Sequence, residues 1–417
     1  MSCKGSLFLA TLLAILLAVF LAPVSRADDL PPNFALEVIE YIPGTGVGSD
    51  WLTGQPYSDP SVALGRPTVD TTGNPIFVNP LEPVPVVPVA PASRSFEIVT
   101  IGAGGALTLK FEHPVFDHPQ NPFGIDFIVF GNVLQSADRV WSNRSPDVVT
   151  LEGTLFEEPG IVSVSQDGET WLTFTNGPFA DTFAPTLGRM WQPEAPDASL
   201  GEWNDWWGEA TDPTWPLDPS ITSTDFVGRT VADVARIYGR SAGGTGFDLS
   251  SLDLPMHPER DMKWMQYIRI EAPSSPGGTP EIDAVAAVCP VSDYELWKLE
   301  QFDWEQRADP MISGDAADGV IAGVPNRLVY AMGLEVADEG LRVTRDPDGL
   351  VVSYPRRVGQ EALQLHLEHS TDMFAWQALG IGPQLSAVDQ GNGTEIMTYR
   401  LDPPAEVGAV RLRGVWP

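Results

Sequence analysis

The sequence predicts an all-β protein: a jelly-roll-like β-sandwich, then a short helical joint and a small Ig-like β-sandwich. Three observations carry that expectation. Short stretches alternating apolar and polar residues recur along the chain, and 39 Gly and 39 Pro punctuate them as turns. Capped helical stretches are few and short. At 417 residues the chain also exceeds the ~250–300 at which a single core stops growing, so at least two domains are expected.

The first segment, residues 1–27, reads as a signal peptide. Lys4 precedes a charge-free apolar run from Leu7 to Leu21, and Ser25 and Ala27 place small side chains at −3 and −1 of a cut before Asp28. The run is shorter than the ~20 residues of a spanning helix, and Cys3 lies ahead of it rather than at a lipidation position. The expected mature chain is secreted or held at the cell surface, with no membrane insertion after signal removal. Losing Lys4 and Arg26 takes two positive charges from a chain of net charge −32, leaving −34. Such acidity argues against nucleic acid, whose phosphates want clustered Lys and Arg, and against anionic membranes. Of two cysteines only Cys289 remains, so no intrachain disulfide forms. At the end of the apolar run Ala284–Val288 it reads as a small buried hydrophobe.

Residues 28–291 form the expected first domain. Ser95–Gly102 and Ala106–Glu112 alternate around Ala103-Gly104-Gly105, the pattern of a hairpin. Gly124–Phe130 is apolar on both faces except at Asp126, as in a strand buried on both sides. Ile161–Ser165 and Thr170–Thr175 flank Gln166–Glu169, whose Asp167-Gly168 favours a tight turn. Met265–Glu271 and Glu281–Val288 add strands. Six prolines between positions 75 and 91 make that stretch an extended loop, because proline cannot donate to a ladder. One helix is expected: Thr230 and Asp233 form a capping box, Val231, Val234, Ala235 and Tyr238 share a face, and Gly239 ends it.

The joint spans 292–335. Ser292 and Glu295 cap a helix bearing Leu296, Trp297, Leu299 and Phe302, Gly- and Asp-rich residues follow at 309–326, and a short helix covers Arg327–Met332. The last domain, 336–417, has strand signals at Leu350–Tyr354, Leu363–Glu368, Phe374–Leu379, Ile396–Leu401 and Ala409–Val415.

Five tryptophans, Trp191, Trp203, Trp206, Trp207 and Trp215, fall within 25 residues of an Asp-, Gly- and Pro-rich loop. Flat apolar rings beside carboxylates and amides suit sugar rings, which offer C–H faces and hydroxyls; an aromatic plug folded onto the sandwich is the competing reading. Asp126 and Asp283 are lone carboxylates inside apolar strands. A buried charge needs a partner, and calcium, which takes six to eight oxygens, is one candidate in an exported protein. Backbone N–H groups at strand ends are the other. Glu157, Glu158, Glu202, Asp205 and Glu209 could supply paired acids for glycoside hydrolysis, or simply form a solvated rim. The five histidines lack metal-site spacing, and no G-x-S-x-G elbow exists, so no catalytic residue is predicted.

The stretches YIPGTGVGSD (41–50), NPFGIDFIVFGN (121–132), VSVSQDGETW (162–171), DPTWPLDPS (212–220), YGRSAGGTGFDL (238–249), YIRIEA (267–272) and EIDAVAAV (281–288) resemble a group of secreted bacterial cell-surface proteins. The strand–Asp-Gly–strand and terminal DAVAAV pattern is similar to galactose-binding-like jelly rolls. That resemblance implies sugar binding or surface adhesion. The second half resembles a C-terminal module of exported bacterial proteins, with Trp297–Phe302, Gly323-Val324-Pro325-Asn326 and Tyr330-Ala331-Met332-Gly333 matching. Its calcium loop departs from the pattern: Asp318 stands first, but Val320 and Ala322 replace the other carboxylates, which argues against calcium at 315–326. The expected function is non-catalytic binding of an extracellular polysaccharide or envelope component. A polysaccharide-active enzyme and a structural matrix component are the alternatives.

Overall fold

The structure is a computed structural model describing residues 33–67, 91–138, 146–185, 211–274, 278–335, 340–359, 364–402 and 409–415. The expected signal segment and the prolines from 75 to 88 lie outside them. Two compact units are present: residues 33–118 with 124–289, and residues 119–123 with 290 onward.

The first unit runs β1 (Ala35–Ile42), β2 (Val99–Thr100), β3 (Ala106–Phe116), β4 (Phe127–Gly131), β5 (Leu134–Ala137), β6 (Leu151–Phe156), β7 (Ile161–Ser165), β8 (Leu172–Thr173), α1 (Val231–Tyr238), β9 (Thr245–Phe247), β10 (Trp264–Glu271) and β11 (Glu281–Ala287). Antiparallel sheets ordered β1-β3-β10-β7-β8 and β2-β11-β4-β9 share one core, and β5-β6 pair separately. Leu107, Leu109, Ile268 and Ile270 from the first sheet meet Phe127, Val129, Ile282 and Val285 from the second. The first sheet supplies alternate residues of its strands to this core, while β4 and β11 are buried along nearly their whole length.

The hairpin expected at 95–112 does not form. β2 pairs with β11, whereas β3 pairs with β1 and β10, so the two segments lie in different sheets. Glycines make the crossing possible. A Cβ on Gly102 would lie 2.6 Å from the Pro43 carbonyl oxygen, and one on Gly105 2.5 Å from that of Ile42. Segment 42–45 therefore packs into the turn, and the Gly102 N–H donates to Pro43 at 2.7 Å instead of closing a hairpin.

Helix α1 starts as its capping residue requires: Thr230 Oγ1 accepts the Asp233 N–H at 3.1 Å, and Val231, Val234 and Tyr238 are buried. The second unit begins with four short helices, α2 (Asp293–Gln301), α3 (Trp304–Arg307), α4 (Pro310–Ser313) and α5 (Asn326–Met332). Then come β12 (Arg342–Asp346), β13 (Gly349–Arg357), β14 (Gln364–Ser370), β15 (Gln377–Ala378), β16 (Gly380–Asp389), β17 (Thr394–Asp402) and β18 (Ala409–Val415). They form sheets β12-β13-β17-β16 and β15-β14-β18 around Val352, Leu367, Leu379 and Leu401. Met332 of α5 packs with Tyr354 and Met397, fastening the helical part to the sandwich. The strand expected at 374–379 shrinks to β15, because residues 370–375 fold into a turn. No helix among the described residues is long and apolar enough to cross a membrane.

Candidate functional site

Of the five candidate tryptophans only Trp215 lies within the described residues; Trp191, Trp203, Trp206 and Trp207 lie outside them, as do Glu202, Asp205 and Glu209. Trp215 is partly buried, in a turn organised by Asp212. Asp212 Oδ1 accepts the Thr214 N–H at 2.9 Å and its hydroxyl at 2.7 Å, and the Trp215 N–H donates to the Asp212 carbonyl at 3.0 Å. Arg240, just beyond α1, donates to Asp212 Oδ2 from Nη2 at 2.8 Å and lays its guanidinium 4.4 Å from the Trp215 ring centre. Burial pushes the Asp212 carboxyl up, but Thr214 and Arg240 outweigh it and hold the group below its ordinary range. The result is an ordered aromatic face beside a fixed ion pair.

Asp126 sits immediately before β4 and is fully buried. Its N–H donates to Phe247 at 2.8 Å, its carbonyl accepts from Val288 at 2.9 Å, and Oδ2 accepts the Leu249 N–H at 2.7 Å. Asp117 and Asp248 approach it, so the three carboxylates each present an oxygen within 4.8 Å of the others. They could supply three of calcium's six to eight oxygens. The protein also places its own cation here. Lys263 Nζ donates to the Ser250 and Leu252 carbonyls at 3.0 and 2.6 Å. Burial, then Asp248, raises the Asp117 pKa, and Lys263 opposes them.

Asp283 does not join this cluster. It occupies the register shift of β11 opposite Gly131 and Phe130, whereas Asp126 meets Val288, five residues or roughly 16 Å along the strand. The loop at 315–326 is closed by protein groups. Asn326 Nδ2 donates to the Ile312 and Gly314 carbonyls at 2.7 and 2.9 Å, and Asp318 Oδ2 accepts the Gly323 N–H at 2.7 Å. Asp315 is paired with Arg327 at 2.7 Å.

A second acidic cluster escaped the sequence reading. Asp181 is 1% exposed, and its two oxygens accept the Asn132 and Glu281 N–H groups at 2.9 and 3.1 Å. Gly131 makes the room, since a Cβ there would lie 2.0 Å from Asp181 Oδ1. Burial, reinforced by Glu281 and Glu158, overcomes those two hydrogen bonds and pushes the carboxyl up to about 8. Burial also raises Glu281, against the Thr100 hydroxyl, which donates to it at 3.0 Å, and the Asn132 amide. Glu158 accepts the Thr279 hydroxyl at 3.0 Å, while Glu157 is exposed. The ionised form of Asp181 is therefore disfavoured, in a site sealed from solvent. Cys289, expected as a buried side chain, is only partly buried and accepts a hydrogen bond from the Asn33 amide at 3.3 Å.

In comparison with known proteins, no family model and no curated protein matches the chain. What the fold and these sites define is an acidic, two-unit β-sandwich protein.

Proposed function

We propose that the protein is exported, non-catalytic and acts at the cell surface, its first unit binding an extracellular glycan or related polymer. The observation that carries this reading is the Trp215 face, held in one orientation by Arg240 and Asp212. An immobilised ring loses little entropy when a sugar stacks on it. The carboxyls support a binding role over cleavage. Asp181, whose carboxyl burial pushes up, is sealed beneath Gly131 with both oxygens engaged, and Asp126 is buried with Oδ2 accepting the Leu249 N–H. Neither is presented to a glycosidic oxygen.

Titration calorimetry with soluble polysaccharides tests the reading. Binding should weaken roughly tenfold in Trp215→Ala, the loss of one aromatic contact. No binding by the native protein, or release of new reducing ends during incubation, would overturn it.

A further inference from the structure

A second aromatic surface stands on the first unit, away from the tryptophan-rich segment in sequence. Trp51 is 72% exposed, Leu52 50% and Phe96 39%. Large apolar groups exposed to this degree are ordinary when scattered and informative when a rigid base presents them together. The base here is a single carboxylate.

Asp50 is fully buried and accepts four hydrogen bonds. Oδ1 takes the Leu52 and Thr53 N–H groups at 2.9 and 3.0 Å, and Oδ2 takes Arg94 Nε and the Ser95 N–H, both at 3.0 Å. The first pair shapes the turn that carries Trp51. The second pair bolts it to the turn that carries Phe96, whose ring lies 5.0 Å from the Arg94 guanidinium. Backbone bonds complete the clamp: Asp50 N–H to Gln55 at 2.8 Å, Gly54 N–H to Asp50 at 2.7 Å and Tyr57 N–H to Gly48 at 3.0 Å. Tyr57, Ala92 and Ile98 form a small apolar cluster behind it, and the Tyr57 hydroxyl donates to the Ser93 carbonyl at 2.9 Å. Residues this tightly tied do not need an exposed Trp for their own packing.

The chemistry of the surface selects its partner. Trp51-Leu52-Thr53-Gly54-Gln55-Pro56 are six consecutive exposed residues without a charge, on a chain of net charge −32. The Asp50 and Arg94 side chains beneath are only 0% and 4% exposed. An uncharged tip of one indole ring, one hydroxyl and one amide fits an uncharged, hydroxyl-rich polymer. It is too small for a stable protein interface, which engages about 20–30 residues a side, and carries no cation for an anionic surface.

We propose that the turn 51–55, with Phe96 beside it, is a binding platform for an uncharged polysaccharide, with Trp51 stacking on a sugar ring. This rests on the glycan-binding reading above and places a contact apart from Trp215. Affinity electrophoresis in gels containing galactomannan, xyloglucan or β-glucan tests it, with Trp51→Ala, Trp51→Tyr and Trp215→Ala run beside the native chain. At least one polymer should retard the native protein. Trp51→Ala should lose roughly tenfold in affinity while Trp51→Tyr keeps most of it. Thermal unfolding of Trp51→Ala should match the native protein, because the ring is largely exposed. Unchanged retardation of Trp51→Ala, with loss in Trp215→Ala, would overturn the platform and leave the general reading standing. A native protein retarded by none of the three polymers would overturn both.

Discussion

Two turns, one in each unit, are built alike. In the first unit Ser165-Gln166-Asp167-Gly168-Glu169-Thr170-Trp171 links β7 to β8; in the second, Ser370-Thr371-Asp372-Met373-Phe374-Ala375-Trp376 links β14 to β15. Ser165 Oγ accepts the Asp167 and Gly168 N–H groups at 3.3 and 2.9 Å, and Ser370 Oγ accepts those of Asp372 and Met373 at 3.3 and 2.8 Å. Asp167 Oδ1 accepts from Glu169 and Thr170 at 2.8 and 2.7 Å, and Asp372 Oδ1 from Phe374 and Ala375, both at 2.9 Å. The likeness extends to the neighbouring strand. Two residues before each serine, Ser163 faces Arg269 and Glu368 faces Arg411. Each arginine lies 4.2 Å from its turn's tryptophan ring.

The difference lies at the tip. Gly168 has φ 78°, which glycine adopts freely, while Met373 takes φ 64° with a side chain that disfavours it. Serine and aspartate thus hold the left-handed backbone by their own hydrogen bonds. The residue at that position is free to vary at a cost in strain. Met373 and Phe374, 70% and 92% exposed, stand where the first turn has Gly168 and Glu169.

A third aspartate-centred turn, at Asp50, sets the scale, because there the carboxylate is buried and paired. Arg94→Met should produce the largest effect, about 3–5 kcal/mol of lost stability in urea unfolding, since it strands the Asp50 charge in the interior. Neither exposed turn holds a charge that such a substitution could strand; a loss below 1 kcal/mol would show that burial does not separate the three turns.

Exchanging the tip residues addresses the paired turns directly. Met373→Gly should stabilise by about 1 kcal/mol by relieving the left-handed strain, and Gly168→Met should destabilise by at least about that much. The second change also meets Tyr267, whose ring carbon would lie 3.4 Å from the new Cβ. Equal signs in the two unfolding curves would break the equivalence.

The smallest effect is acid sensitivity. The N–H groups of Thr170 and Glu169, with the Ser165 hydroxyl, hold Asp167 at about 2, and those of Ala375 and Phe374 hold Asp372 below the ordinary carboxyl range. A folded pKa below the unfolded one contributes stability that is present above about pH 4 and is lost as pH falls towards 2. Amide chemical shifts of both turns should move as pH falls below the ordinary carboxyl range and stay put in Asp167→Asn and Asp372→Asn. Movement of one turn alone would show that the shared hydrogen bonds do not govern both.

Legibility follows the range of the interactions. The apolar patterns of Ile161–Ser165 and Glu281–Ala287 and the Thr230 cap are written in residues within a few positions of one another, and each reads directly from sequence. The tight primed turn expected at Asp167-Gly168 is instead a longer connection in which only Gly168 has positive φ. The S-x-D-x-x-x-W repeat was equally available as a signal and would have located the second turn, where alternation alone predicted strand from Phe374. Asp126 drew attention as the one charge in an apolar strand. Its partners did not, because Asp248 reaches it from the neighbouring strand β9 and Asp117 from the end of β3 in the other sheet, both far away in sequence; Leu249, which binds its carboxylate, is 123 residues away. Asp181 carried no mark at all, since its burial depends on the empty volume at Gly131.

Composition and local pattern by themselves determined the all-β class, the excess of acid and the start of the capped helices, because these follow from side-chain chemistry and short-range geometry. Tertiary structure alone decided which strands share a sheet, that Asp126 rather than Asp283 sits among carboxylates, and that Trp51 stands exposed over a buried ion pair. Those outcomes depend on what long-range packing brings close and what it leaves in water. A glycine's missing Cβ at positions 102, 105 and 131 leaves the room that the Pro43 and Ile42 carbonyls and the Asp181 carboxyl occupy.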